Sequence, residues 1–132
     1  CPFAAHIRKT RPRAELGDFP AARVMRAGIP YGPEVTDSEA ASGITDPNIE
    51  RGLAFVSYQS SIGSGFAFLQ QTWANNPQFL HGTGVDPLIG VDTGGEGPNK
   101  PRNITGFDPN EPGRITTLPI DFIVSRGGEY FF

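Results

Sequence analysis

The 132 residues hold two histidines and one cysteine. A closed zinc site needs four such donors, so one built from His and Cys is nearly excluded, and a disulfide within the chain is impossible. His6 follows the apolar run Cys1-Pro2-Phe3-Ala4-Ala5 and precedes the basic run Ile7-Arg8-Lys9-Thr10-Arg11-Pro12-Arg13. One axial histidine suits a haem better than zinc, because the porphyrin supplies four further nitrogens. Flanking guanidiniums are built to pair bidentately with carboxylates such as haem propionates. On spacing alone, however, a lone histidine is more often structural or exposed than a ligand. Asp108 and Glu111 are close in sequence but lie in a Pro/Gly loop, which reads as a solvated turn rather than an acid/base pair. No Gly-x-Ser-x-Gly elbow and no phosphate-binding Gly-x-x-x-x-Gly-Lys run occurs.

The elements that must position these groups fit one domain. With 37% hydrophobic and 19% charged residues the chain reads as a folded protein, and 17 Gly with 13 Pro predict much irregular structure. The net charge of −3 and the absence of a long basic run argue against nucleic-acid binding. No apolar run approaches the length of a membrane span. Residues 1–19 read as extended or irregular. Pro20–Arg26 is a short helical or turn candidate closed by Gly28, and the prolines keep 29–33 extended. Residues 36–48 read as a polar surface loop. Gly52–Gln59 is a strand with Leu53, Phe55 and Ser57 on one face. Ile62, Phe66, Leu69 and Trp73 form a helical stripe, with Ser60 or Ser61 able to cap its start and Asn75-Asn76-Pro77 ending it. Residues 77–117 read as loop, loosest at 94–98, and Leu118–Ser125 as a second strand. The aromatic end, Gly127–Phe132, is expected to dock. This order suits an α+β layer of helix on antiparallel sheet, with one sheet face needing a ligand, a partner or more polypeptide.

Six ordered blocks carry a resemblance over nearly the whole chain. The first, residues 1–13, resembles the proximal-haem segment of fungal dye-decolorizing (DyP-type) peroxidases. Val24-Met25-Arg26-Ala27-Gly28-Ile29-Pro30-Tyr31-Gly32 is similar to their distal-arginine segment. Residues 50–59, 66–75, 84–90 and 127–132 continue the match. The resemblance implies a ferredoxin-like fold of the dimeric α/β-barrel type, with this chain as the C-terminal half of a two-half haem peroxidase. It implies haem b (iron protoporphyrin IX), hydrogen peroxide as oxidant, aromatic dyes or phenols as reductants, and a secreted, extracellular setting.

Residue by residue, the resemblance assigns His6 to the iron and Asp86 to the imidazole nitrogen that iron leaves free. The reading from residues alone makes Asp86 a turn-former before Pro87. Arg26 matches the distal arginine, with Arg23 its positional competitor. Leu53 and Phe55 are candidates for the pocket wall or simply for core. Arg8 is the first choice for a propionate and Arg13 the second. Tyr31 and Trp73 are candidate electron-transfer residues, with core packing favoured for Trp73. Asn103-Ile104-Thr105 is a glycosylation sequon, a chance match or a real acceptor. The family's Gly-x-x-Asp-Gly motif, holding the presumed acid/base aspartate, does not occur. The chain is therefore expected to be the smaller piece of a peroxidase, working with the N-terminal part as partner. The competing reading is a haem-free ferredoxin-like module for assembly or for binding carbohydrate surfaces.

Overall fold

The structure is a computed structural model, and it describes residues 1–17, 19–20, 23–91 and 101–132. In chain order these form α1 (His6–Thr10), α2 (Arg13–Leu16), β1 (Met25–Tyr31), α3 (Asp37–Ser42), β2 (Gly52–Tyr58), α4 (Phe66–Phe68) running into a π-helical turn (Leu69–Ala74), β3 (Arg102–Ile104) and β4 (Thr116–Leu118). Two units result: Val24–Gln59, and Cys1–Arg23 with Ser60–Phe132.

The larger unit packs around the stripe that spacing predicts. Leu69, Trp73 and Ala74 are buried. The Trp73 ring stacks on Phe79 at 4.8 Å between centroids, and Phe68 meets it edge-on at 5.2 Å. The helix itself differs from the expected α-helix. Gly65 delays its start, and the ladder widens to π geometry after Phe68. Ser61 shapes the preceding turn: its carbonyl accepts the Gly65 N–H and its hydroxyl accepts the Ser64 N–H. Asn75 ends the helix by donating to Gln70 O at 3.0 Å.

Residues 1–19, expected to be irregular, hold α1 and α2. Periodicity cannot reveal helices of five and four residues. The Arg8 and Lys9 amides bond to Ala5 O, and the Thr10 hydroxyl bonds to His6 O. Pro12 sits at the start of α2, where its missing N–H costs nothing.

The expected strand 118–125 is also corrected. Only Thr116–Leu118 pairs, antiparallel to β3, which arises within the stretch read as loop. Pro119 cannot donate to a ladder, and Ile123 and Val124 are exposed. The terminal Tyr130, Phe131 and Phe132 are exposed rather than docked. The loose stretch at 94–98 lies outside the described residues.

In the unit Val24–Gln59, β1 and β2 pair antiparallel from Met25↔Tyr58 to Tyr31↔Gly52. Met25 and Arg26 belong to this strand and not to a helix, and Gly28 lies inside it. The Arg23 amide closes a single turn onto Pro20 O at 3.0 Å, and Ala21 and Ala22 lie outside the described residues. Gly32 leaves the sheet at φ 93°, where a Cβ would sit 2.3 Å from Glu50 O, so only glycine fits.

The expected loop 36–48 contains α3, opened by a capping box between Thr36 and Glu39. Glu39 is buried and salt-bridged to Arg51 of the segment entering β2, at 2.7 Å. That ion pair, with amide bonds from Thr36 and Asp46, holds the Glu39 carboxyl well below the usual carboxylate range.

Candidate functional site

Asp86 is fully buried, and its backbone is fixed before its side chain is considered. Its amide donates to Ala74 O, at the end of the π turn, at 2.8 Å. Its carbonyl accepts from the Gly90 amide at 3.0 Å and from Arg102 Nη1 at 3.0 Å. Arg102 also donates to Gly90 O at 2.7 Å and forms an ion pair with Asp121. Asn75 Oδ1 accepts the Val91 amide at 2.9 Å, and Gln70 Nε2 donates to Ile89 O. The π turn therefore provides most of the frame on which the loop 84–91 is hung.

The carboxylate then does two jobs. Oδ1 accepts the Leu88 and Ile89 amides at 2.8 and 2.9 Å, which is the turn-forming role read from the sequence. Oδ2 lies 2.8 Å from His6 Nδ1, a residue 80 positions away. Burial pushes the Asp86 carboxyl up, but the His6 hydrogen bond and the two amides outweigh it and leave the pKa below its ordinary value. Asp86 is thus an anion at neutral pH. It fixes the His6 proton on Nδ1 and leaves Nε2 as the ring nitrogen with a lone pair to offer. The His6 side chain is 36% exposed.

Lys9 lies one turn beyond His6 and is buried. Its Nζ donates to Asn76 O at 2.8 Å and to Gly84 O. Burial lowers its pKa to about 8, with the Asp86 charge opposing the fall. Sequence reading counted Lys9 with the local basic cluster and passed over Arg102. Neither carries a motif, and only the fold shows that both hold the Asp86 loop.

Arg8 is engaged inside its own segment. It ion-pairs with Glu15, donates to Cys1 O at 2.7 Å and lies over the Phe3 ring at 4.1 Å. Arg13 is exposed on α2. Trp73 is core, as favoured. Asn103 is exposed on β3, its Oδ1 accepting the Thr117 hydroxyl at 2.8 Å.

The second unit holds the other named residues. The register pairs Arg26 with Ser57, Gly28 with Phe55 and Pro30 with Leu53. Directly opposed residues share a face, so Arg26, Phe55 and Leu53 stand on one face. Gly28 leaves that face low, and the Leu53 side chain covers it. Leu53 and Phe55 are 58% and 46% exposed, so neither is core here. Tyr31 is partly exposed and lays its ring over Gly52, the partner without a side chain.

Among the described residues no three His, Cys, Asp or Glu side chains gather to hold a metal ion, and no helix is long and apolar enough to cross a membrane. A lone histidine with a committed Nδ1 is the donor set that suits a macrocycle bringing its own nitrogens.

No family model matches the chain. It is 57% identical to a dye-decolorizing peroxidase of Mycetinis scorodonius, over all of this chain and 28% of that protein. It is 50% identical to one of Auricularia auricula-judae, over all of this chain and 27% of that protein. A crystal structure of the Auricularia auricula-judae enzyme superposes with a TM-score of 0.79 at 47% identity, covering 97% of this chain and 30% of that one. A structure described as an engineered heme pocket of a dye-decolorizing peroxidase gives 0.78. The fold is the α+β, ferredoxin-like fold of the DyP-type peroxidases. The chain is similar in sequence and fold to part of the dye-decolorizing peroxidases, and it spans a little over a quarter of the length of the relatives it matches.

Proposed function

We propose that this chain is the C-terminal, haem-binding part of a secreted dye-decolorizing peroxidase, completed by an N-terminal part of the same enzyme. The observation that carries the reading is the His6–Asp86 contact, in a chain similar to these peroxidases over its full length. His6 Nε2 would hold the iron of haem b. Arg13, exposed on α2, is better placed by its freedom than Arg8 to pair with a propionate. Leu53 and Phe55 present an exposed apolar sheet face able to serve as a pocket wall. When bound, haem supplies the two-electron reduction of hydrogen peroxide and the one-electron oxidation of aromatic dyes or phenols.

The residues of the chain have separate tasks. Asp86 fixes the imidazole tautomer and strengthens His6 as a donor. Arg26 brings a permanent cation to the sheet face it shares with Phe55, where it stabilises negative charge on a peroxide oxygen as the O–O bond parts. The acid/base group for the peroxide proton belongs to the N-terminal part. Tyr31, partly exposed, is the better candidate to pass an electron to a large substrate; Trp73 packs within the aromatic core. Exposure of the Asn103 sequon supports an extracellular setting.

Arg26→Leu in the full-length enzyme tests the reading. It should keep haem and its absorption spectrum while the reaction with peroxide slows by about a hundredfold or more. An unchanged rate would remove Arg26 from the mechanism.

A further inference from the structure

Lys9 is a buried cation that the peroxidase reading leaves without a task. It is 1% exposed, and among the described residues its ammonium bonds to no carboxylate. Instead it joins two backbone carbonyls from different segments. Asn76 lies two residues beyond Ala74, whose carbonyl accepts the Asp86 amide, and Gly84 lies two residues before Asp86. Both chain segments that deliver Asp86 to His6 are therefore tied to one point on α1, the helix that begins with His6.

The charges have a matching logic. An isolated buried carboxylate is costly, and a cation nearby offsets the cost without taking its hydrogen-bonding sites. Asp86 gives Oδ2 to His6 and both acceptor sites of Oδ1 to two amides, and a cation bonded directly to Oδ2 would draw charge away from the His6 hydrogen bond. Lys9 is bonded to carbonyls instead, and acts on Asp86 through space alone.

We propose that Lys9 is a positioning residue for the His6–Asp86 pair, clamping together the two segments that hold Asp86, at Asn76 and at Gly84, and setting the net charge around the imidazole. The proposal rests on the reading of His6 as the iron ligand. Removing the ammonium takes a buried cation away from the Asp86 charge, which favours the ferric over the ferrous state.

The test uses the full-length, haem-loaded enzyme at pH 6, where Lys9 is charged. Lys9→Met and Lys9→Gln should lower the ferric/ferrous reduction potential. Lys9→Arg, which keeps the charge, should stay near the parent, and Asp86→Asn should move the potential upward. Amide exchange at Leu88 and Ile89 should quicken in Lys9→Met, because the clamp is lost. Lys9→Gln keeps a polar head and reads the charge if Lys9→Met fails to fold.

A potential unmoved by both neutral variants, or moved as far by Lys9→Arg, overturns the proposal. His6→Gly in the same series separates the two claims. If it loses the axial-histidine signature while the Lys9 variants leave the potential unmoved, only the role of Lys9 falls. If it keeps that signature, the ligand reading has failed first.

Discussion

His6 Nδ1 and Asp86 Oδ2 meet at 2.8 Å across 80 residues of chain, and Asp86 is completely buried where they meet. The contact makes a specific prediction for Asp86→Asn. The amide can still accept from Leu88 and Ile89, but facing His6 it offers either a donor or a neutral oxygen. The folded protein should lose about 1–3 kcal/mol, read by thermal or urea unfolding. The acid limb should change too. Asp86 has a folded pKa below its unfolded value. Its stabilisation is complete above about pH 3.9 and is lost as pH falls through the lower folded value. Asp86→Asn should flatten that part of the stability curve.

Gly90→Ala should disturb the same site without touching a functional group. A Cβ there would lie 2.5 Å from Asp86 O and 2.7 Å from Asp86 N, both backbone atoms that cannot swing aside. We expect a loss of about 1–3 kcal/mol and a weakened His6–Asp86 bond, seen as a shifted imidazole N–H resonance. Parent-like stability would show that the loop 84–91 yields more easily than its hydrogen bonds suggest.

Lys9 predicts a response in alkali. Its folded pKa of about 8 lies below the unfolded 10.5, so the unfolded chain holds more protons between these values. Stability from this group therefore rises as pH climbs from about 8 towards 10.5, by no more than about 3 kcal/mol. Melting curves of the parent and Lys9→Met, compared over this range, should diverge with that sign. Parallel curves would mean that Lys9 titrates normally.

The second unit is tested through its cap. Thr36→Val should cost about 1 kcal/mol, since it removes the acceptor for the Glu39 amide. Glu39→Gln should cost more, because it keeps the cap but breaks the buried ion pair with Arg51. Hydrogen exchange in α3 reads both.

What was legible in the sequence follows from the range of each interaction. The 62–73 stripe and the 52–59 strand announce themselves by local period; the stripe buries Leu69 and Trp73 as spacing suggests, whereas the strand forms but leaves Leu53 and Phe55 exposed. The Thr36-x-x-Glu39 capping box was equally local and equally readable, yet the polar composition around it suggested only a loop. The brief helices α1 and α2 have too few residues to show a period. Strand 118–125 failed because propensity without a partner makes no strand. The His6–Asp86 pair lay beyond local reading, and only the resemblance of six ordered blocks connected those two residues. Lys9 and Arg102 were missed for the same reason: the groups by which they hold the Asp86 loop are backbone carbonyls, which leave no mark in sequence.

The most direct test of the central claim is the visible spectrum of the full-length enzyme carrying His6→Gly, before and after adding imidazole. The parent should show the Soret band of histidine-ligated haem, the variant should lose it or shift it strongly, and imidazole should restore it. An unchanged spectrum in His6→Gly would contradict the assignment of His6 to the iron, and a parent protein with no Soret band at all would favour a haem-free binding module instead.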